Sequence, residues 1–396
     1  MAGNIRSQLD RGDVAVENSK KVGLVTYCAG NIGSALQCFA TQQYLSKKEV
    51  DCFLITRLRE RGPARVMQSL EYRAGAWLKL LKFPSAWPAY KKCRNPEASN
   101  HAMTPESAEA IRDFIDRHIQ VKEYTWNQLI RVARSHEYMA FFSGSDQIWN
   151  GLWFFTTRFW FLRFCPKEKR VAWAPSFGAD SVAVYNQSLF QRYLSEYQFL
   201  SAREPSGRET IRELTGRSAP LLPDPTYLLT AEEWRQIEVP MGLPAKYILM
   251  FFISEPERSA IDCAENWSRQ QDADVIWLSY RHCDTRDFAN GGPSEFLSCI
   301  DHADLVLTDS FHASLFSVIL STPFFVFPRT DENGRTQLGR IQNLLEKFQM
   351  ADRLVAGSVP RLSAGPDEAQ IRAVLAKERE RSDAFLSEVI NFYSGE

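Results

Sequence analysis

The run KVGLVTYCAGNIGSALQCFATQQYLSKKEVDCFLIT, residues 21–56, decides how the chain is read. KVGLVTY (21–27) is a short apolar, β-rich run, CAGNIGS is turn-prone, and Ala35 to Lys48 carry apolar residues at helical spacing. VDCFLIT (50–56) repeats the strand pattern, so the stretch reads as a βαβ unit opening a doubly wound sheet. Such sheets bind ligands outside the carboxyl ends of their strands, which makes the turns after the strands the places to search.

Downstream, YMAFFSG (138–144), KRVAWAP (169–175) and QFLSARE (198–204) are expected as further strands of the same sheet. LLPDPTYLL (221–229) reads as a domain-closing turn and linker, and after it the pattern starts again. YILMFFIS (247–254), DVIWLSY (274–280), ADLVLTDS (303–310) and PFFVFP (323–328) read as strands, with helices at about 257–271, 293–301 and 313–320. The expected organisation is a flexible segment over 1–20, a Rossmann-like α/β domain over 21–229, a second over 230–365, and a helix over 366–396 packing back on the first. The two domains would face each other across a cleft.

At 396 residues the chain has room for roughly two domains. Hydrophobic residues at 44% and charged ones at 24% exclude disorder as its main state. A net charge of -1 leaves no global field for nucleic acid. The eight cysteines are scattered without zinc-knuckle spacing and read as reduced, mostly buried thiols. No apolar stretch of signal-peptide or membrane-spanning length is present, so the expectation is a cytoplasmic protein.

Residues 57–94 break the rhythm. They hold ten Lys or Arg against Glu60 and Glu71, a local charge of +8, with Tyr72, Trp77, Leu80, Leu81, Phe83, Trp87 and Tyr90 interleaved. Three readings stay open: a basic amphipathic element lying on an anionic membrane surface or against a lipid-linked substrate, a solvated helix held to the domain edge by its aromatics and, least favoured, a nucleic-acid contact.

Four turns carry candidate chemistry. In CAGNIGS, Gly30 and Gly33 allow close backbone approach and the following helix start offers N–H groups to an anion, although a full G-x-G-x-x-G is lacking. In SGSDQIWN (143–150), Ser143, Ser145 and Asp146 are placed for sugar hydroxyls or a proton, with Trp149 as a stacking floor; the plainer alternative makes Asp146 a helix cap and Trp149 a core residue. In SAREPSG (201–207), Arg203 stands at a strand end just before a helix near Pro205, suited to a carboxylate or phosphate; the plainer alternative is a structural arginine paired with an acid. TDSFHASLF (308–316) delivers Asp309, Ser310 and His312 together at a strand end, where a histidine can move a proton near neutral pH. His302 lies before that strand, at the opposite edge, so a metal pair with His312 is not expected. H-E-x-x-H, G-x-S-x-G and P-loop signatures are absent.

Taken in order, these motifs resemble the polysaccharide pyruvyl transferase family. The likeness runs through EYMAFFSGSDQIWN, VAWAPSFG, LSAREPSG, LPDPTYLLTAEEW, ADLVLTDSFHASLFSVI and GRIQNLLEKF, roughly residues 21–348. An aromatic and a glycine are usual in the family where this chain has Ile32 and Gly33 after Asn31, and Ala313 occupies a place usually held by glycine; neither change removes a charged group. The resemblance implies a GT-B-like glycosyltransferase fold and transfer of a pyruvyl group from phosphoenolpyruvate to two hydroxyls of one sugar. The products would be a cyclic ketal and phosphate, with no cofactor or metal. It implies donor contacts from Arg203, His312, Ser310 and Arg340, the last from GRIQNLL, and catalytic roles for His312, Asp146 and Asp309. Asn31, Gly33, Ser145 and Trp149 are expected on the acceptor, a surface-polysaccharide or capsule precursor carried on lipid at the inner face of the membrane. A nucleotide-sugar glycosyltransferase and a non-catalytic member of an assembly complex are the alternatives.

Overall fold

The computed structural model describes residues 20–58, 63–94, 103–279, 289–329, 339–355, 357 and 367–395. The expected flexible N-terminal segment, up to residue 19, lies outside the described residues, as does Cys283. The seven described cysteines are free, and of these Cys93 is exposed.

The opening βαβ unit is β1 (Lys21–Val25), α1 (Ile32–Ser46) and β2 (Asp51–Arg57). α2 (Pro63–Lys82) and α3 (Trp87–Arg94) follow, then α4 (Pro105–His118), β3 (Val121–Tyr124), α5 (Trp126–Arg134), β4 (Ala140–Ser143) and β5 (Arg170–Ala172). These five strands form one parallel sheet in the order β3-β2-β1-β4-β5. α6 (Val184–Leu194), α7 (Pro205–Thr215) and the short α8 (Ala231–Arg235) lead to a second sheet. Its elements are β6 (Tyr247–Phe251), α9 (Arg258–Gln271), β7 (Asp274–Ser279), β8 (Ala289–Asn290), α10 (Pro293–Asp301), β9 (Leu305–Thr308), α11 (Phe311–Ile319) and β10 (Phe324–Val326). Its order, β10-β9-β6-β7-β8, is the first sheet's order repeated, with β6 and β9 standing where β1 and β4 stand. The chain is therefore an α/β protein of two Rossmann-like sheets.

Two features depart from the sequence reading. QFLSARE is not a regular strand: Phe199 makes one parallel bridge to Val171 and Ala202 one to Leu221, because Ser201 turns its hydroxyl onto the Ala172 carbonyl instead of continuing a ladder. The stretch that forms α4, β3 and α5 carries a strand, VKEY, too short and polar to announce itself; it lies at the sheet edge, where one side need not be buried.

α1 joins the two halves. IGSALQCFATQQYLS contains no charge, and thirteen of its fifteen residues are buried, as a helix covered on all sides must be. Phe39 meets Phe114 on one side and Trp234 on another, and Trp234 sits edge-on to Phe316 of α11, so one apolar core runs from the first sheet into the second. After α12 (Gly339–Lys347), α13 (Glu368–Ser394) crosses back: Asp383 accepts from Tyr44 at 2.5 Å and pairs with Lys48, while Phe385 packs against Trp173 and Phe199. Among the described residues no helix is long and apolar enough to cross a membrane.

Candidate functional site

In each sheet the strand order reverses at one place, between β1 and β4 and between β6 and β9, and the carboxyl ends there open a crevice. The two crevices face each other. Gly33, in the first turn of α1, lies so close to the His312 ring of α11 that a Cβ on it would stand 2.2 Å from Nδ1. Beside this contact is a cavity of about 190 Å³ lined by Asn31, Gly33, Asp146, Gln147, Ser310, His312, Arg329 and Arg340 among others. α1 and α11 both begin at it, so the positive ends of two helix dipoles converge there.

The positive side chains are layered about Phe311. The guanidinium of Arg203 is 5.5 Å from its ring centre and that of Arg340 5.7 Å. Arg203 is buried: Nη1 donates to Asp224, Nε donates to Glu204 at 3.3 Å, and Nη2 has no partner. Burial opposes its charge, but Asp224 and Glu204 raise its pKa, so it stays a cation. Asp224, wholly buried, is held below the usual carboxylate range by Arg203 against its own desolvation, and it also accepts from the Thr226 amide and hydroxyl at 3.1 and 2.8 Å. Arg340 is pushed down to about 10, first by burial and then by Arg203.

His312 completes the cluster. Its Nε2 is 3.8 Å from the Asp224 carboxylate, outside hydrogen-bond range, and has no partner. Burial depresses its pKa below the ordinary imidazole value, Asp224 partly restores it and Arg203 lowers it again, so the ring is neutral at pH 7. Arg203 Nη2 and His312 Nε2 are thus buried without hydrogen-bond partners; His312 lines the cavity, whereas Arg203 lines a smaller pocket next to it with Glu204, Asp224, Phe311 and Arg340.

Asp146 faces this cluster from the first domain. It adopts a left-handed φ of 54°, tolerable for aspartate, with Oδ1 accepting from the Gln147 amide at 2.7 Å and Oδ2 from the Ser34 hydroxyl. Asn31 caps α1, accepting from the Ser34 amide at 2.8 Å, and Ser310 caps α11; both also line the cavity.

Three expected site residues are placed elsewhere. Asp309 accepts from the Ile253 and Ser254 amides at 2.7 and 3.0 Å and from the Ser254 hydroxyl at 2.5 Å, so its carboxylate ties the loop after β6 to the end of β9 and is not free as a base. Ser145 is fully buried with its hydroxyl on the Ala174 carbonyl. Trp149 is also fully buried, stacked on Phe161 at 5.6 Å with Phe177 and Tyr197 at its edges, and cannot floor an open site.

Conversely, Asp224 was read as part of a linker, yet it anchors Arg203 beside His312. Its signal was an aspartate between two prolines with threonine two positions on, the pattern of a buried capped turn. Glu204, Gln147 and Arg329 are further neighbours that the sequence alone did not single out. Glu238, Asp301 and His302 come within 4.8 Å of one another away from the cavity, but Arg235 holds both oxygens of Asp301 at 2.8 Å and His302 Nδ1 lies 3.0 Å from the Ser298 carbonyl. The group reads as an ion-paired corner behind α10.

A sequence profile of polysaccharide pyruvyl transferases matches residues 31–331, more than half of the chain. The chain belongs to the polysaccharide pyruvyl transferase family. No curated protein matches it by sequence. Among solved structures, a UDP-N-acetylglucosamine 2-epimerase superposes with a TM-score of 0.51 at 11% identity, covering 95% of this chain and 96% of that one. HepE of Anabaena, solved with UDP and glucose, gives 0.46 at 10% identity over 93% and 99% of the two chains, and the glycosyltransferase SnogD of Streptomyces nogalater 0.40 at 11% over 94% and 99%. At such identities the epimerase likeness is one of fold: this pyruvyl transferase-family chain has the GT-B-type pairing of two Rossmann-like domains.

Proposed function

We propose that the protein transfers the pyruvyl group of phosphoenolpyruvate to two hydroxyls of one sugar in a polysaccharide or its lipid-linked precursor, releasing phosphate and leaving a cyclic ketal. The observation that carries this reading is the pair of unpartnered buried nitrogens, Arg203 Nη2 and His312 Nε2, with Arg340 lining both the cavity and the pocket next to it that holds Arg203, and two helix N-termini at the cavity. A small, highly charged anion meets that arrangement. At about 190 Å³ the cavity falls below the ~300–1,000 Å³ typical of sites that enclose drug-sized ligands, which favours a three-carbon phosphate over a nucleotide sugar.

In the chemistry this implies, a proton adds to the methylene carbon and leaves a cationic centre at the carbon bearing phosphate. One sugar hydroxyl attacks that carbon, giving up its proton to a base. The second hydroxyl then forms the other C–O bond as the bond to phosphate breaks, and its proton leaves on the departing phosphate, while the first hydroxyl's proton balances the one added to the methylene carbon. Asp146 supplies the base, being the carboxylate that reaches the cavity from the opposite domain. His312 and Arg203 hold the phosphate and offset its charge as it departs.

His312 makes the reading measurable. It is neutral in the free protein because burial depresses its pKa, and an arriving trianion stabilises the imidazolium and raises that pKa. Binding should therefore take up a proton near neutral pH, and affinity should strengthen as pH falls through the bound-state value. It should level off below the free-protein value, which lies under the usual ~6.5. Calorimetric titration with phosphoenolpyruvate in buffers of different ionisation enthalpy reads this uptake. His312→Gln should abolish the uptake and weaken binding at least about tenfold. Arg203→Lys is the companion variant, since Arg203→Ala would strand buried Asp224 and cost about 3–5 kcal/mol of stability. Saturable binding of a nucleotide sugar with none of phosphoenolpyruvate would refute the proposal.

A further inference from the structure

The segment after β2 has two opposed apolar faces. On α2, Ala76 and Leu80 are buried and join Ala86 and the fully buried Phe154, with Phe83 and Tyr90 against them. Lys79, one of the basic residues that distinguish the segment, also turns inward, donating to the Phe154 carbonyl at 2.7 Å and to Asn186 at 2.6 Å. This face fixes the helix to the domain, as the plainer reading of the sequence expects. On the other side of α2, Trp77, Leu78 and Leu81 are exposed by 59%, 68% and 74%, with Ala74 completing an i, i+3, i+4, i+7 stripe, and Trp87 at the start of α3 is 42% exposed.

Four of the nine large apolar side chains exposed among the described residues are thus gathered on two successive helices, and of these Trp87 has a ring neighbour, Tyr90 at 5.5 Å. Arg73 and Lys82 lie on either flank of the stripe, and exposed Lys91, Lys92 and Arg94 follow on α3. Fixation to the domain needed only the buried face, so the plainer reading leaves the second stripe without a purpose.

We propose that this face of α2 and α3 seats the protein on an anionic membrane surface, Trp77, Leu78, Leu81 and Trp87 entering the headgroup layer and the flanking lysines and arginines meeting lipid phosphates. An apolar stripe bordered by basic residues is the pattern that lies in such an interface. A second copy of the chain fits it poorly, because docking face to face would oppose two surfaces of the same positive sign. The position is also apt. Phe154, under α2, belongs to the same loop after β4 as Asp146 and Gln147 of the cavity, so the membrane-facing element is packed onto a segment that lines the site. The seating is a property of this surface and does not depend on the donor chemistry.

The test is flotation of the full chain with vesicles of phosphatidylglycerol and phosphatidylethanolamine, beside vesicles of phosphatidylcholine alone. Binding is expected to the anionic vesicles and to weaken with salt. The double variant Trp77→Ser/Leu81→Ser should lower partition about tenfold or more, and Lys82→Glu/Lys91→Glu should remove much of the remaining salt-sensitive part. These side chains are exposed, so folding and the phosphoenolpyruvate titration of both variants should match the parent. No binding to anionic vesicles would overturn the proposal. So would binding that Trp77→Ser/Leu81→Ser leaves unchanged, which any polyanion, including single-stranded DNA, should then reproduce. A concentration-dependent dimer abolished by the same variant, without vesicle binding, would assign the face to a second copy instead.

Discussion

Asp146 follows β4 and Asp309 follows β9, strands that hold the same place in two sheets of the same order. From sequence the two carboxylates are equivalent, each just past an apolar strand in a motif rich in serine. In the structure Asp146 stands at the cavity, supported by the Ser34 hydroxyl and its own neighbour's amide, whereas Asp309 accepts two amides and a hydroxyl from the loop after β6. A strand end therefore brings a residue to the crevice, but the donors of the adjacent loop decide whether it remains available for chemistry.

The largest effect should come from the residue left available. Asp146→Asn removes the proposed base while keeping the shape, and turnover should fall about 10²–10⁴-fold with phosphoenolpyruvate binding little changed. A variant retaining full turnover would show that another group takes the hydroxyl protons. Trp149→Ala probes the same loop's core side: it should cost about 3–5 kcal/mol of stability in denaturant unfolding, as for a large buried aromatic. An intact midpoint with weaker acceptor binding would instead return Trp149 to the site. Asp309→Ala leaves three donors without their acceptor and should cost about 3 kcal/mol. Unchanged stability with lost turnover would make the two aspartates equivalent after all.

What was legible in the sequence follows the same division. Strands buried on both faces, such as YILMF and LVLT, declare themselves by composition, and with them come the crevice and the candidates Arg203, His312 and Asp146. What was not legible depends on partners far along the chain. Asp224 looks like a turn residue until Arg203 and His312 are seen beside its carboxylate, and Asp309 looks catalytic until Ile253 and Ser254 are seen to hold it. QFLSARE has a strand's composition, but its backbone makes isolated bridges, because side-chain hydrogen bonds at Ser201 compete with a ladder.

The finest discrimination concerns the two glycines of CAGNIGS. Gly30 has nothing within 4 Å of where a Cβ would sit, whereas at Gly33 that Cβ would lie 2.2 Å from His312 Nδ1, far inside any tolerable contact. Gly33→Ala must displace the imidazole from its place beside Asp224, and if His312 holds phosphate as proposed, its misplacement is costly even when the shift is small. A fall in kcat/KM on the order of 10–100-fold is expected, with the proton uptake on phosphoenolpyruvate binding reduced in step. Gly30→Ala should leave kinetics unchanged and stability within about 0.5 kcal/mol. If Gly33→Ala proved as silent as Gly30→Ala, the contact between α1 and α11 could not persist through turnover. His312 and Asp146 would then do their work across a wider cleft, with the two domains apart when the sugar enters.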